Sequence, residues 1–572
     1  MRRILMLGIG VSLCIIGHAQ ETASMVLASG AVDVEALNAD EYERWSDLLA
    51  NPIAINSVPE ARLAASGLFS PFQIASIIDY RARHGDILSA LELAQLDGFN
   101  EEKVARLRPF LRFDGSLGPA PATGLHGEVL GPISSSLSEG ATKTAWKAKA
   151  RLSYGERISA AWSPGGSRYL SLSGIRRPWR LVLGDYKARF GQGLALWSGF
   201  SIAGVGTPSA LARTSSGITP AWSWSEGNAL QGLAAEARLG RLRTSGFFSW
   251  NAAPTSAVNL TLLLRRGQLG TTVLRREKAG GEDGQLLVSA DCFYGWRSVE
   301  FFGETAWDVL PKAMAAVGGL RFPAGGRIRG ALAARYYPAQ YSAPLAGALR
   351  SGTKITDEAG LSLSGEYASE RRQTLRGVTG FGNSVSVLRI LLTADALRTP
   401  SGGKRQLKLL LRGDWQISDT WSLQTQLGER LREGYNTPDN RSELRTDLRW
   451  SDGRRISTTQ FHLLHSRGTG FLCYQEAGLK TERLSVYARG TLFYVGHWDD
   501  RIYAYERDTP GSFSVPAFSG DGFKLSAIGQ YKWAVRKVFH IQSALRVSYL
   551  SYFPSSPKPG KLEFKAFLKL SW

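Results

Sequence analysis

Sulfur is scarce in this chain: three cysteines and four methionines in 572 residues. Cys14 falls in an apolar leader, which leaves Cys292 and Cys473. Neither has CxxC spacing, which excludes a zinc ribbon or a redox motif. The two could join in a disulfide or stand as separate thiols facing core or lipid. Histidine is also thin, at seven residues. His462 and His465 are three apart on a two-residue repeat, so they point to opposite faces and share a metal poorly. His497-Trp498-Asp499-Asp500 reads as a solvated loop or a weak cation site. Gly191-Gln192-Gly193 lacks the strand–helix context of a nucleotide site, and no Gly-x-Ser-x-Gly elbow sits in a credible setting. No catalytic residue, metal or cofactor is expected, and the reading is not an enzyme. Beyond the leader no apolar run reaches the roughly 18 residues of a spanning helix. Any crossing of a membrane must be made by strands.

Acidic residues are in deficit, and unevenly so. The formal net charge is +20. Residues 21–113 hold 14 acidic and 8 basic side chains, net −6, whereas 114–572 hold 35 and 59, net +24. Aromatics are plentiful, with 16 Trp and 19 Tyr, the residues that gather at membrane interfaces.

Arg2 and Arg3 precede an apolar run from Ile4 to Ile16, and Gly17-His18-Ala19 supplies small residues at a cleavage site. The expectation is a signal peptide over 1–19. Leu before Cys14 argues against a lipoprotein box.

Residues 33–113 have helical period and marked starts. Ser57-Val58-Pro59-Glu60, Ser70-Pro71-Phe72-Gln73 and Ser89-Ala90-Leu91-Glu92 are capping boxes. Asn100 can cap a further helix, Gly85 ends the helix carrying Ile74, Ile77 and Ile78, and an earlier helix spans about Asp40 to Leu49. The matching residues Ile55-Asn56-Ser57, Leu63, Ile77 to Arg81, Gly85, Ser89, Leu93, Gly98-Phe99 and Leu107 resemble a tandem helix-hairpin-helix domain of the ComEA type. That resemblance implies DNA-phosphate contact through Gly-hydrophobic-Gly hairpins. Here the hairpins read Leu68-Phe69-Ser70 and Gly98-Phe99-Asn100, and the acidic balance is wrong for DNA. The alternative is a periplasmic gating or docking module that contacts a protein partner.

Residues 114–138, rich in Gly, Pro and Ser, read as a linker. Two-residue periodicity then dominates 139–572. Trp146, Ala148, Ala150, Leu152 and Tyr154 alternate with Lys147, Lys149 and Arg151, and Leu444 to Trp450 alternate with Arg445 and Arg449. The last eleven residues place Leu562, Phe564, Ala566, Leu568, Leu570 and Trp572 on one face. This resembles the C-terminal sorting strand of outer-membrane barrels, read by the barrel-assembly machinery, with Phe564, Leu570 and Trp572 as its marks. The fold expected is α+β: a small all-α helix-hairpin-helix domain, then a large antiparallel transmembrane β-barrel of about 18–24 strands, at roughly 20 residues per strand and turn. The barrel would lie in outer-membrane lipid, with the helical domain in the periplasm.

One segment breaks the rhythm: Leu183-Gly184-Asp185-Tyr186, then Arg189-Phe190-Gly191-Gln192-Gly193-Leu194, then an irregular stretch to about Gly232 that includes Ser225-Glu226-Gly227. With the helical domain, it resembles the helix-hairpin-helix-containing barrel proteins of Gram-negative bacteria, in which Gly-Asp-Tyr followed by Gly-Gln-Gly-Leu recurs. The segment is expected as a lumen constriction carrying Arg189 and Gln192, or as a long surface loop. Lys147, Lys149, Arg151, Arg445, Arg449 and Arg546 would line the lumen if the apolar faces meet lipid. Alternatively the basic excess sits in rims against lipid phosphates. Passage across the outer membrane leads, with DNA uptake, a structural envelope role and an outer-membrane enzyme as alternatives.

Overall fold

The computed structural model describes residues 24–572 except 27–28, 30, 32–33, 38, 51, 59, 61–62, 64–65, 100, 114–123, 140, 156, 175–178, 200–205, 214, 225–228, 252, 278–283, 298, 323–326, 351–356, 378–379, 436–439, 535–538 and 557. The leader with Cys14, Pro59 of the first capping box, Asn100, and Ser225-Glu226-Gly227 therefore lie outside the described residues.

The helical segment forms where its caps are. Helices run over Ala39–Ala50, Pro71–His84, Ala90–Ala94 and Glu101–Leu107. The Ser70 box is complete: its Oγ accepts from the Gln73 amide at 3.2 Å, and Gln73 Oε1 accepts from the Ser70 amide at 3.0 Å. Ser89 Oγ accepts from the Glu92 amide at 3.1 Å. Gly85 ends the second helix at φ 88°, where a side chain would be strained. Ile55, Leu63, Phe69, Ile77, Ile87, Leu93 and Phe110 are fully buried together. Ile53–Ala54 pairs in parallel with Leu111–Arg112, tying the start of the unit to its end. Met25 and Ala31 also join this core, so the unit begins before Asp33.

The remainder is a closed antiparallel barrel of 24 strands. Its first strand, Leu125–Ser138, pairs with its last, Lys561–Ser571, from Leu137 opposite Leu562 to Glu128 opposite Ser571. This corrects the linker reading: 114–138 ends in a barrel strand that serines, Gly127, Gly131 and Pro132 disguise. Pro132 also explains why the second strand is described in two pieces, Ala141–Trp146 and Lys149–Tyr154. Lys147 donates to the Pro132 carbonyl at 3.0 Å, but Pro132 has no N–H to return.

The strands are apolar outside and polar inside. In Thr255–Leu263, Val258, Leu260 and Leu262 are 56%, 41% and 42% exposed, whereas Asn259 and Thr261 between them are 1% and 6%. A soluble protein would lose stability from that arrangement. In lipid the exposed face is the buried one. Exposed Trp and Tyr recur near strand ends, among them Tyr154, Trp250, Trp296, Trp307, Trp415, Trp421 and Trp533. These are interface girdles.

The two rims differ. At the rim holding the barrel's first residue and the C-terminus, connections between strands are two to five residues long. At the opposite rim lie the three longest, 190–229, 338–357 and 496–519. Short turns mark the periplasmic side and long loops the extracellular one.

Candidate functional site

A barrel of this strand number is too wide for its own side chains to fill. Two kinds of material occupy its lumen.

From the periplasmic side comes the helical domain. The sequence places this domain in the periplasm; the structure bonds its acidic side chains to the inner wall. Glu43 lies 2.8 Å from Lys149, Glu35 3.1 Å from Arg445, Glu60 3.4 Å from Arg238 and Asp47 4.0 Å from Arg151. Lys149 is fully buried, with its ammonium 4.3 and 4.8 Å from the ring centroids of Trp224 and Trp222. The charge asymmetry of the chain thus becomes a seat, an acidic body in a basic cylinder. At the rim, Lys103 and Arg106 of the domain meet Glu300, Arg321, Arg329 and Glu366 of the wall. Burial lowers Lys103 to about 8, opposed by Glu300 and helped by Arg321. Burial, then the neighbouring Arg329 and Arg321, lowers Arg106 to about 10.

From the extracellular side come the three long loops. The first opens at Arg189, whose Nε donates to the Ser198 carbonyl at 3.0 Å and whose guanidinium lies 5.3 Å from the Trp197 ring. Glu304, on the wall strand Val299–Asp308, accepts three backbone N–H bonds, from Gln192, Leu194 and Ala195 at 2.8, 2.9 and 3.1 Å. Gly191 is at φ +54°, and a Cβ there would meet the Glu304 carboxylate at 2.6 Å, so the Gly-Gln-Gly stretch is shaped to cradle that carboxylate. The Gln192 side chain accepts from the Arg213 amide at 2.9 Å and donates to its carbonyl at 3.4 Å, closing the loop on itself. The second loop crosses to meet the first. Gly347 and Ala348 donate to the Gly193 carbonyl at 2.9 and 3.0 Å, Trp197 donates to Leu345 at 2.7 Å, and Tyr341 donates to Leu194 at 3.0 Å. The third loop reaches the helical domain. The Tyr42 and Tyr505 hydroxyls are 2.9 Å apart, and the Tyr505 amide donates to Glu35 at 3.2 Å. Burial raises the Tyr505 phenol well above its ordinary value. Glu506 in this loop holds Lys524 and Arg546 of the wall at 2.7 and 2.6 Å.

Arg189 and Gln192 are therefore inside the barrel, in the loop that fills it. Of the six basic residues expected in the lumen, Lys149, Arg151, Arg445, Arg449 and Arg546 face it. Each meets a carboxylate: Arg449 lies 3.7 Å from Asp447, and Arg151 also pairs with Glu128 at 2.5 Å. Lys147 is exposed at the interruption opposite Pro132. The hairpin residues do not form an outward contact surface. Leu68 and Phe69 are buried, Ser70 caps its helix, the Gly98 carbonyl accepts from Gln73 at 2.7 Å, and Phe99 meets Phe69 at 6.0 Å between ring centroids. Phe564 is exposed on the lipid face, while Leu570 and Trp572 are half-buried. His462 and His465 do point to opposite faces, the first buried at 3.1 Å from Glu443 and the second exposed. Cys292 and Cys473 are free thiols. Among the described residues no cluster of three or more His, Cys, Asp or Glu could hold a metal.

Sequence reasoning missed Glu304, Glu506 and the buried Arg335–Glu358–Asp395 cluster, in which Arg335 lies 2.8 Å from Glu358 and 3.1 Å from Asp395. Their signal was a carboxylate at an inward position of an alternating strand, or in a long loop.

No family model and no curated protein matches the chain. Among solved structures, OccK2 (OpdF) of Pseudomonas aeruginosa is similar at 9% identity and TM-score 0.31, covering 78% of this chain and 96% of that one. The P pilus usher (PapC) translocation pore is similar at 8% identity and TM-score 0.32, covering 78% and 99%. Similarity at that level carries no argument about what this chain does.

Proposed function

We propose that this protein is an outer-membrane passage whose N-terminal helical domain is the gate, seated inside the lumen. The observation that carries the reading is the set of ion pairs from Glu35, Glu43, Asp47 and Glu60 to three separate strands of the wall. A domain needed only to stiffen the barrel would be bonded by apolar packing. An ion-paired seat can exchange its partners for water as the domain leaves, the partly exposed Glu60–Arg238 and Asp47–Arg151 pairs at about 1 kcal/mol or less each and the buried Glu43–Lys149 pair at more. The fold of the gate is that of a tandem helix-hairpin-helix unit in our reading, supported by its caps and by the edge-on contact of Phe69 with Phe99. Its periplasmic face presents Leu88 and Leu91 at 69% and 64% exposure, which suits a periplasmic protein that draws the gate open. The terminal strand serves barrel assembly, and no enzymatic step enters this reading.

Swelling of proteoliposomes tests it. A Glu35→Gln/Glu43→Gln/Asp47→Asn chain, and a chain lacking 24–113, should both admit small solutes faster than the unaltered protein. Equal rates in all three would overturn the reading.

A further inference from the structure

Between the helix Ala39–Ala50 and the wall lies a cavity of about 520 Å³, a volume that holds a small molecule. Its lining is not electrically neutral: it includes eight Lys and Arg side chains against five Asp and Glu. Glu43 and Asp47 pair with the wall across the domain's seat, and Glu128, Arg507 and Asp508 pair within the wall and the third loop. The wall opposite the helical domain is different.

Cross-strand register places six lining residues in one row along the inner wall. Lys480 stands opposite Ser485, Ser485 opposite Gln530, Lys532 opposite Gln542, and Gln542 opposite Lys569. At about 4.8 Å per strand the row is roughly 20 Å long. It holds three ammonium groups, two amides and a hydroxyl, and no carboxylate. Glu128 neutralises Lys569 from the next strand at 2.7 Å. Lys480 and Lys532 have no ion pair or side-chain hydrogen bond among the described residues. Lys480 is half-buried and Lys532 is exposed to the lumen, so both ammonium groups can reach a solute there. Donor-only ammonium groups flanked by amides suit an oxyanion.

We propose that this row is a binding site for a small organic anion, a carboxylate or phosphate ester with a polar body. The Lys480 and Lys532 ammonium groups hold the charge, while Gln530, Gln542 and Ser485 bond to the body. This deepens the passage reading and rests on it for the claim that the anion travels. The binding itself does not depend on the gate opening.

Calorimetric titration of the full-length protein in detergent tests it, with glucose 6-phosphate, gluconate and uncharged glucose as probes. At least one of the two anions should bind where glucose does not, and binding should weaken with added salt as screening sets in. Which anion binds distinguishes phosphate from carboxylate. Lys480→Gln/Lys532→Gln should weaken binding by about tenfold or more, the scale of one lost hydrogen bond to a charged group. Retention of its heat-dependent gel shift shows that this variant is still a folded barrel. Binding of neither anion, equal binding of glucose, or unchanged affinity in the folded variant would each overturn the proposal. If anion binding fails while gate variants still swell liposomes faster, the passage reading survives without this site.

Discussion

Lys149 Nζ and Glu43 Oε1 lie 2.8 Å apart, one on the barrel wall and the other on the helical domain, with two indole rings over the ammonium. Their side chains are 0% and 14% exposed. This pair joins the most basic part of the chain to its most acidic part, and it is the most buried of the bonds that seat the domain.

Removing one partner leaves a charge stranded. Glu43→Gln should destabilise the seated domain by about 3–5 kcal/mol, whereas adding Lys149→Gln should restore part of that loss, because no uncompensated ammonium remains. Hydrogen exchange over Ala39–Ala50 reads the effect. A double variant as labile as the single one would show that the pair is not the anchor.

Glu304→Gln keeps the size of the side chain and removes the charge that three amides share. One of the two acceptor oxygens becomes an NH2 donor facing those N–H groups. The Gly191–Leu196 loop should loosen by about 1.5–3 kcal/mol per bond to the charged oxygen lost. Limited proteolysis in 190–229 should speed up while the barrel keeps its heat-dependent gel shift.

Gly127 and Trp572 exchange both backbone bonds at 2.9 Å, and a Cβ on Gly127 would fall 2.2 Å from the indole. Gly127→Val should therefore impede closure of the seam, and less of the protein should reach the heat-modifiable form. Gly529→Ala is the control: nothing lies within 4 Å of a Cβ there. Equal yields from the two variants would refute a special role for the seam contact.

Lys103 gives the seat a pH dependence. Burial lowers its value to about 8, below the roughly 10.4 of an exposed lysine. Between those values the unfolded chain holds more protons than the folded one, so stability rises with pH across that window. Below about pH 8 both states are protonated and the contribution is flat and unfavourable. Thermal unfolding of the unaltered protein should shift upward from pH 7.5 to 10 more than that of Lys103→Gln. Identical shifts would remove the assignment.

Much of this was legible locally. The alternation of Val258, Leu260 and Leu262 with Asn259 and Thr261 declared a strand with a lipid face, and Ser70 and Ser89 declared helix starts. The strand Leu125–Ser138 was not legible, because Gly127, Gly131, Pro132 and its serines have the composition of a linker. What makes it a strand is its partner, Lys561–Ser571, more than 400 residues away. Leu68 and Phe69 were read as positions where the hairpin motif lacks its glycines, and their burial in the core of the helical segment was not legible from that stretch alone.

The sequence by itself determined the class of the wall, since a period of two with one apolar face is a property of consecutive residues. It also determined the sign of the charge on each part. Only the tertiary structure decided that these charges meet. Glu43 and Lys149 are 106 positions apart, and Gln192 and Glu304 are 112 apart. No local pattern encodes which inward carboxylate faces which inward cation. That follows from closing 24 strands into a ring, which fixes every inner position relative to every other and leaves a lumen that the acidic domain and three loops are shaped to fill.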